Sequence, residues 1–317
     1  MRSWLPTALL DGMKTYDDVT ELIGRTPLLR LGRVAPEARL YGKCEFLNPM
    51  SIKDRPVKQI LADAAAEGRL SPGDTVIECT SGNTGMAVAF IASVLGYRAI
   101  LVMSEIQSVE RRQVMRALGA ELVLTPASEG TKGAKARLLQ ICEEHPDYFY
   151  VGQHQSPSNA RAHELTTGPE LWDDTDGGID VLVAGLGTGG TLCGASRFLK
   201  PRKPSVRIIG VEPAEAPYLS QGKWQPHRLM GTAPGFTPET YDPEQVDEIE
   251  LASEDEAFEM CRRLAREEGI LVGISSGAAV AAALRVAGRP ELEDALIVAV
   301  LCDSGQRYLS VDGLFEA

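Results

Sequence analysis

Three short stretches bring together residues able to do chemistry. Lys53 stands in Asn48-Pro49-Met50-Ser51-Ile52-Lys53-Asp54-Arg55. Thr80-Ser81-Gly82-Asn83-Thr84-Gly85 is a run of hydroxyls, one amide and glycines, and Gly185-Leu186-Gly187-Thr188-Gly189-Gly190-Thr191 is glycine-rich with two threonines. Each lies where a strand or loop feeds a helix. A primary amine condenses with an aldehyde, and the unpaired N–H groups at a helix start, with hydroxyls beside them, hold anions. One lysine beside two such turns therefore suits an aldehyde cofactor, although any one of the three stretches is weak evidence by itself.

Each stretch has a plainer explanation. Lys53 opens a run, Lys53 to Ala66, whose apolar Val57, Ile60, Leu61 and Ala64 recur at helical spacing. A cation in a first helical turn opposes the helix dipole, so the position calls for another reason, the plain one being a solvated lysine. Residues 80–85 suit a carboxylate, but Ser, Thr and Asn also cap helices. The third stretch satisfies G-x-G-x-x-G after a strand, with Glu212 about twenty residues on, which is the dinucleotide fingerprint in outline. Thr188 and Thr191 favour a compact terminal phosphate instead, and a dinucleotide leaves Lys53 and residues 80–85 without a role.

The elements that must carry these groups alternate. Thr75 to Cys79, Arg98 to Met103 and Glu121 to Leu124 read as strands separated by helices at Gly85 to Leu95 and Ser108 to Leu118, with Ser108 as an N-cap lacking the acid of a full capping box. A second alternation runs through strand Asp180 to Ala184, helix Thr191 to Leu199 and strand Val206 to Glu212. Strand Glu248 to Leu251, helices Ser253 to Glu268 and Ser276 to Val286, and strand Ala295 to Leu301 follow. Apolar strands joined through helices predict parallel sheets covered on both faces. Residues 213–245, with six prolines, read as a long functional loop.

A chain of 317 residues, 44% hydrophobic and 24% charged, is long enough for two modest domains. A formal charge of -12 with no basic run argues against nucleic-acid binding. Cys44, Cys79, Cys142, Cys193, Cys261 and Cys302 form no C-x-x-C pair and read as reduced packing residues, which points to a cytoplasmic setting. His145, His154, His163 and His227 lack metal-site spacing, so no metal is expected. Met1 to Leu10 is too poor in apolar residues for a secretory signal, and no later run is long enough to cross a membrane.

Taken in order, Ile23-Gly-Arg-Thr-Pro-Leu-Leu29, Asn48-Pro49 with Ser51-Ile-Lys-Asp-Arg55, Thr80 to Gly85, Ser108-Val-Glu-Arg-Arg112, Thr167-Gly-Pro-Glu170, Gly187 to Thr191, Gly273-Ile-Ser-Ser-Gly-Ala278 and Asp303-Ser-Gly-Gln-Arg-Tyr308 make the chain resemble the cysteine synthases. These are the O-acetylserine and O-phosphoserine sulfhydrylases among the fold type II pyridoxal-phosphate enzymes, and the likeness spans nearly the whole chain. It implies an α/β fold, tryptophan synthase β-like, of two domains that are each a mostly parallel sheet flanked by helices. A smaller mobile substrate-binding domain would comprise residues 45–154, and a larger cofactor-phosphate domain residues 1–44 plus 155–317.

The resemblance also implies roles. Lys53 would bind the aldehyde of pyridoxal 5'-phosphate and then shuttle the Cα proton. Asn83 would bond the ring oxygen, Ser304 would face the pyridine nitrogen, and Gly187, Thr188, Gly189, Gly190 and Thr191 would hold the phosphate. Thr80, Ser81, Thr84 and Gln153 would hold the substrate carboxylate. The implied reaction is β-replacement on an O-activated L-serine through an aminoacrylate, forming L-cysteine from a sulfur donor, in a homodimer.

Departures from the family pattern keep other readings open. Only Met50 separates Pro49 from Ser51, where relatives carry two residues. Ala233 and Pro234 alter a loop that commonly borders the substrate entrance, and Asp303 is similar to the cystathionine β-synthases. Ser51-Ile-Lys-Asp-Arg-Pro56 is similar to synthases that use O-phosphoserine and a thiocarboxylated sulfur-carrier protein, for which Arg228 or His227 would be the phosphate partner. The alternatives are β-replacement with another nucleophile, as in a cystathionine or diaminopropionate pathway, a dehydrogenase, and a non-catalytic partner-binding scaffold.

Overall fold

The structure, a computed structural model, describes residues 15–80, 82–105 and 109–315. The chain runs β1 (Leu28–Arg30), β2 (Arg39–Lys43), α1 (Asp54–Ala66), β3 (Thr75–Cys79), α2 (Asn83–Leu95), β4 (Arg98–Ser104), α3 (Val109–Ala117), β5 (Glu121–Thr125), α4 (Gly130–Glu144) and β6 (Phe149–Tyr150). It continues with α5 (Ser158–Leu165), α6 (Thr167–Asp174), β7 (Val181–Gly185), α7 (Gly190–Leu199), β8 (Arg207–Pro213), α8 (Tyr218–Gln221), β9 (Glu248–Ala252), α9 (Glu254–Arg263), α10 (Ile274–Ala287) and β10 (Leu296–Val300).

Two sheets result. One has six strands in the order β1-β2-β10-β7-β8-β9, the other four in the order β5-β4-β3-β6. Every pairing is parallel except β1 with β2. Side chains alternate between the two faces of a strand, and both faces here are buried. Val181, Val183, Ile209, Val211, Ile297 and Ala299 enter one core, while Leu182, Ala184, Ile208, Val298 and Val300 enter the core on the opposite face. In the smaller sheet Val76, Leu101 and Met103 face one core, and Ile77, Ile100 and Val102 the other. The uninterrupted apolar runs of β7 and β10 follow from that double burial, and the chain has the two-sheet α/β architecture expected.

Local signals account for the helix ends. Ser253 accepts from Glu256 N at 3.2 Å while Glu256 Oε2 accepts from Ser253 N at 2.7 Å, a reciprocal capping box at the start of α9. α2 ends on Gly96, whose φ of 77° is the left-handed conformation that glycine adopts without steric cost. α9 and α10 pack closely, because a Cβ at Gly277 would stand 2.3 Å from Ala257 O. The Ser108 cap lies outside the described residues. Lys53 is the N-cap of α1, one position ahead of the first turn in which the helical pattern had put it. Residues 213–245 are mostly irregular, as expected, apart from the single turn α8 and a 3-10 turn at Pro243–Gln245.

A buried ionic cluster ties α1 to the larger sheet. Arg55 is 3% exposed, and its guanidinium donates to Glu45 and to Glu170, with Nε–Oε2 and Nη1–Oε1 distances of 2.7 Å. Lys43 Nζ lies 2.9 Å from Glu170. Burial alone would raise the Glu170 carboxyl, but the hydrogen bond from Arg55 and the charges of Arg55 and Lys43 bring it down to about 2. Breaking such a cluster by removing one partner strands a charge out of water, at a cost of about 3–5 kcal/mol. The first turn after Lys53 is therefore fixed against β2 and α6.

Among the described residues, no helix is long and apolar enough to cross a membrane, and no three His, Cys, Asp or Glu side chains are grouped to hold a metal. All six cysteines are unpaired.

Candidate active site

One cavity between the two sheets collects most of the chemistry-bearing residues. Lys53 and Asn83 line it from one side, and Gly187, Thr188, Gly189 and Thr191 from the other. Lys53 stands at the head of α1 with its backbone N–H donating to Ser51 Oγ at 3.2 Å. Burial lowers the affinity of its amine for a proton, an effect that Cys302 and Asp303 partly oppose. A buried ammonium is penalised because charge is poorly solvated there, so the neutral, nucleophilic amine gains population at neutral pH.

The glycine-rich turn forms because β7 ends at Gly185 and α7 begins at Gly190, with Gly189 at φ 80°. The first N–H groups of a helix have no intrahelical partner, and Gly189 and Thr191, which flank this helix start, line the cavity. Glycine is required for reasons of space as well. A Cβ at Gly187 would stand 2.2 Å from Gly231 O, and one at Gly190 would stand 2.0 Å from Asn159 Oδ1. The turn is held from behind: Thr240 donates to Thr188 O at 2.6 Å, and Thr191 Oγ1 lies 3.2 Å from His163 Nε2. Burial, with the charges of Arg55 and Lys53, holds His163 well below its ordinary value, so the ring is neutral while its Nδ1 meets Thr167 Oγ1 at 2.9 Å.

The residues expected to hold the substrate carboxylate follow the carboxyl ends of β3 and β6. Thr84 donates its hydroxyl to Gln153 Oε1 at 2.6 Å, and both residues are buried. Gln153 is fixed at its backbone, where its N–H donates to Glu78 at 3.2 Å and its carbonyl accepts from Asn159 at 2.6 Å. Burial pushes Glu78 up to about 7, against the lowering effect of the Gln153 and Cys79 amides. Thr80 is half-buried, with its backbone N–H on Val102 O at 3.1 Å. Ser81 lies outside the described residues.

The expected residues are thus distributed unevenly. Lys53, Asn83, Gly187, Thr188, Gly189 and Thr191 share the cavity, and Gly190 underlies it as a packing contact. Thr80, Thr84 and Gln153 stand outside its lining. So does Ser304, whose hydroxyl caps the following turn by accepting from Gln306 N at 3.3 Å. Ser275 and Cys302 line the cavity instead. The Gly273 to Ala278 motif already contained Ser275, but two adjacent serines at a helix start read equally well as caps. Asn159 and His163 gave no sequence signal, since their partners are fixed only by the fold. Arg228 stacks over Phe258 at 4.5 Å and bonds Asp312 O, and His227 Nε2 meets Ala233 O at 3.2 Å. Neither of them lines the cavity.

The cavity fits pyridoxal phosphate. It offers a desolvated amine on one wall and, on the facing wall, a helix start where a side chain would collide with backbone. Comparison with known proteins agrees. Residues 19–303 match the family described as pyridoxal-phosphate dependent enzyme. The chain is 46% identical over 302 residues to a cysteine synthase of Staphylococcus aureus, spanning 94% of this chain and 96% of that protein. Among crystal structures, an O-ureido-L-serine synthase superposes with a TM-score of 0.91 at 42% identity, covering 96% of this chain and 97% of that one. A cysteine synthase from Entamoeba histolytica also reaches 0.91, at 40% identity over 94% and 90% of the two chains. A lysine and a glycine-rich helix start lining one cavity, in a chain that matches the family over nearly its whole length, therefore place this protein among the pyridoxal-phosphate dependent enzymes.

Proposed function

We propose that the protein replaces the β-substituent of an O-activated L-serine, O-acetylserine or O-phosphoserine, with sulfide to form L-cysteine. The observation that carries this is the desolvated Lys53 amine facing the Gly187–Thr191 turn across one cavity. When bound, pyridoxal phosphate supplies an electron sink for the pair left on Cα when its proton is removed. The protein's part is to bind, orient and move that proton. Gly187 to Thr191 hold the phosphate and Asn83 the ring oxygen. Ser304 faces the ring nitrogen, close in the chain to Cys302, which lines the cavity. Thr80, Ser81, Thr84 and Gln153 hold the substrate carboxylate. Lys53 Nζ, its proton affinity lowered by desolvation, accepts the Cα proton as acetate or phosphate leaves, and returns it after sulfide has added to Cβ.

Residues 45–154 would close as a unit over the substrate and exclude water. The exposed Leu22, Leu47 and Leu165 offer apolar side chains for contact in a homodimer. Six unpaired cysteines support a cytoplasmic setting. The similarity at Ser51 to Pro56 supports a sulfur-carrier protein as the alternative to free sulfide. A second reading, replacement with a larger nucleophile, is favoured by the likeness to an O-ureido-L-serine synthase.

The test supplies purified holoenzyme with each serine ester, adds sulfide or a panel of thiols and amines, and identifies the product by mass. Cysteine with sulfide supports the first reading, and a different β-substituted alanine formed in preference to it supports the second. Turnover of neither ester with any nucleophile contradicts both.

A further inference from the structure

The side-chain amide of Asn83 is held on both sides by a segment far away in the chain. Its oxygen accepts from Arg307 Nη1 at 2.5 Å, and its nitrogen donates to Asp303 Oδ2 at 2.7 Å. A guanidinium has no acceptor, so the amide oxygen must face Arg307 and its nitrogen Asp303. The amide nitrogen carries two hydrogens. With one on Asp303, the second remains for whatever occupies the cavity that Asn83 lines.

The clamp is itself built into the core. Asp303 is 0% exposed, and its Oδ2 also accepts the Tyr308 hydroxyl at 2.6 Å. Room for the carboxylate depends on Gly273, where a Cβ would stand 2.1 Å from Asp303 Oδ1. That Oδ1 is buried with no hydrogen-bond partner, a desolvation cost that a residue serving packing alone would not need to carry. Arg307 also donates through Nη2 to Met50 O, and Met50 N donates to Asp54 at 2.7 Å. Met50 is the single residue between Pro49 and Ser51. One guanidinium therefore holds both the shortened approach to Lys53 and the amide of Asn83.

We propose that Asp303 and Arg307 are positioning residues that lock the Asn83 amide and present its second N–H to the ring oxygen of the cofactor. This rests on the reading that Asn83 contacts the cofactor. Neither residue touches the reacting atoms; both act through Asn83, and Arg307 couples that amide to the loop that carries Lys53.

The test is a double-mutant cycle read by cofactor binding and by the absorption maximum of the bound cofactor. Asn83→Ala, Asp303→Ala and Arg307→Met are each made alone, and the last two are also made in the Asn83→Ala background. Each single variant is expected to move the absorption maximum in the same direction and to raise the cofactor dissociation constant roughly ten- to 150-fold, the worth of one charge-supported hydrogen bond. In the Asn83→Ala background, adding Asp303→Ala is expected to alter that constant by no more than about twofold, and adding Arg307→Met by clearly less than it does alone, the remainder being its hold on Met50. Additive effects, or single variants with wild-type spectra and affinity, overturn the clamp. An Asn83→Ala protein that binds cofactor like wild type overturns the contact on which the clamp rests, and the clamp with it. Melting of each apoprotein shows whether it is folded. If Asp303→Ala does not fold, Arg307→Met, at a partly exposed position, decides the question alone.

Discussion

Thr84 donates its hydroxyl to Gln153 at 2.6 Å, joining the first turn of α2 to the turn that follows β6. The pair is buried, so neither group can turn to water if the other is removed. Its place beside residues 80–85 makes it the firmest part of the proposed carboxylate site.

Replacing Thr84 with Val keeps the shape and removes the donor. The Gln153 oxygen is left without its partner, a loss of about 1–3 kcal/mol. The expected result in steady-state kinetics is a KM for the serine ester raised roughly tenfold with kcat changed much less, the pattern of lost uniform binding. Equal loss in kcat and kcat/KM would move Thr84 from substrate binding to the chemical step.

Gly187→Ala tests the phosphate cradle. The new Cβ would stand 2.2 Å from Gly231 O, a backbone atom that moves only with its loop. Overpacking of this kind costs about 1–3 kcal/mol. Titration of the apoprotein with pyridoxal phosphate should show affinity at least about tenfold weaker than wild type. An unchanged dissociation constant would mean that the cofactor phosphate is held elsewhere.

Asp54 gives a pH signature. Its Oδ2 accepts from Met50 N at 2.7 Å and Ser51 N at 3.2 Å, while its buried Oδ1 has no partner. Burial outweighs those two amides and pushes the carboxyl from its ordinary 3.8 up to about 7. A raised carboxyl stabilises the fold in its protonated form. That contribution is fully present below 3.8 and is lost as pH rises through about 7. Asp54→Asn keeps the acceptor and removes the titration. Urea unfolding at a series of pH values should show the variant gaining on wild type across this window, by on the order of 4 kcal/mol in all. Parallel curves would show that Asp54 titrates alike in the folded and unfolded chain.

Much of the frame could be read from the sequence. The strands at 98–104 and 296–300 are apolar on both faces over most of their length, and a run without alternation is the mark of a strand buried on both sides. The glycine-rich turn announced itself because its needs are local: a strand end, a left-handed residue and a helix start. The short β1, β2 and β6 escaped because Leu28–Arg30, Arg39–Lys43 and Phe149–Tyr150 carry no long apolar run of their own and are strands only through pairing.

What stayed hidden was long-range. The partners of Asn83 lie 220 and 224 residues away. His163 reaches Thr191 across 28 residues, and only folding makes it part of the cradle. Ser275 and Ser304 show the limit most clearly: both belong to glycine-bearing motifs in the C-terminal part, and only the fold separates the one that lines the cavity from the one that caps a turn.

The central claim is that Lys53 carries the cofactor, and reductive trapping tests it most directly. Holoenzyme is treated with borohydride and digested, and the peptides are searched for the added mass of the reduced cofactor. The account predicts the label on Lys53 Nζ and its loss, together with the visible absorbance, in Lys53→Ala. A label on any other lysine, or an Ala variant that keeps the covalent chromophore, would contradict it.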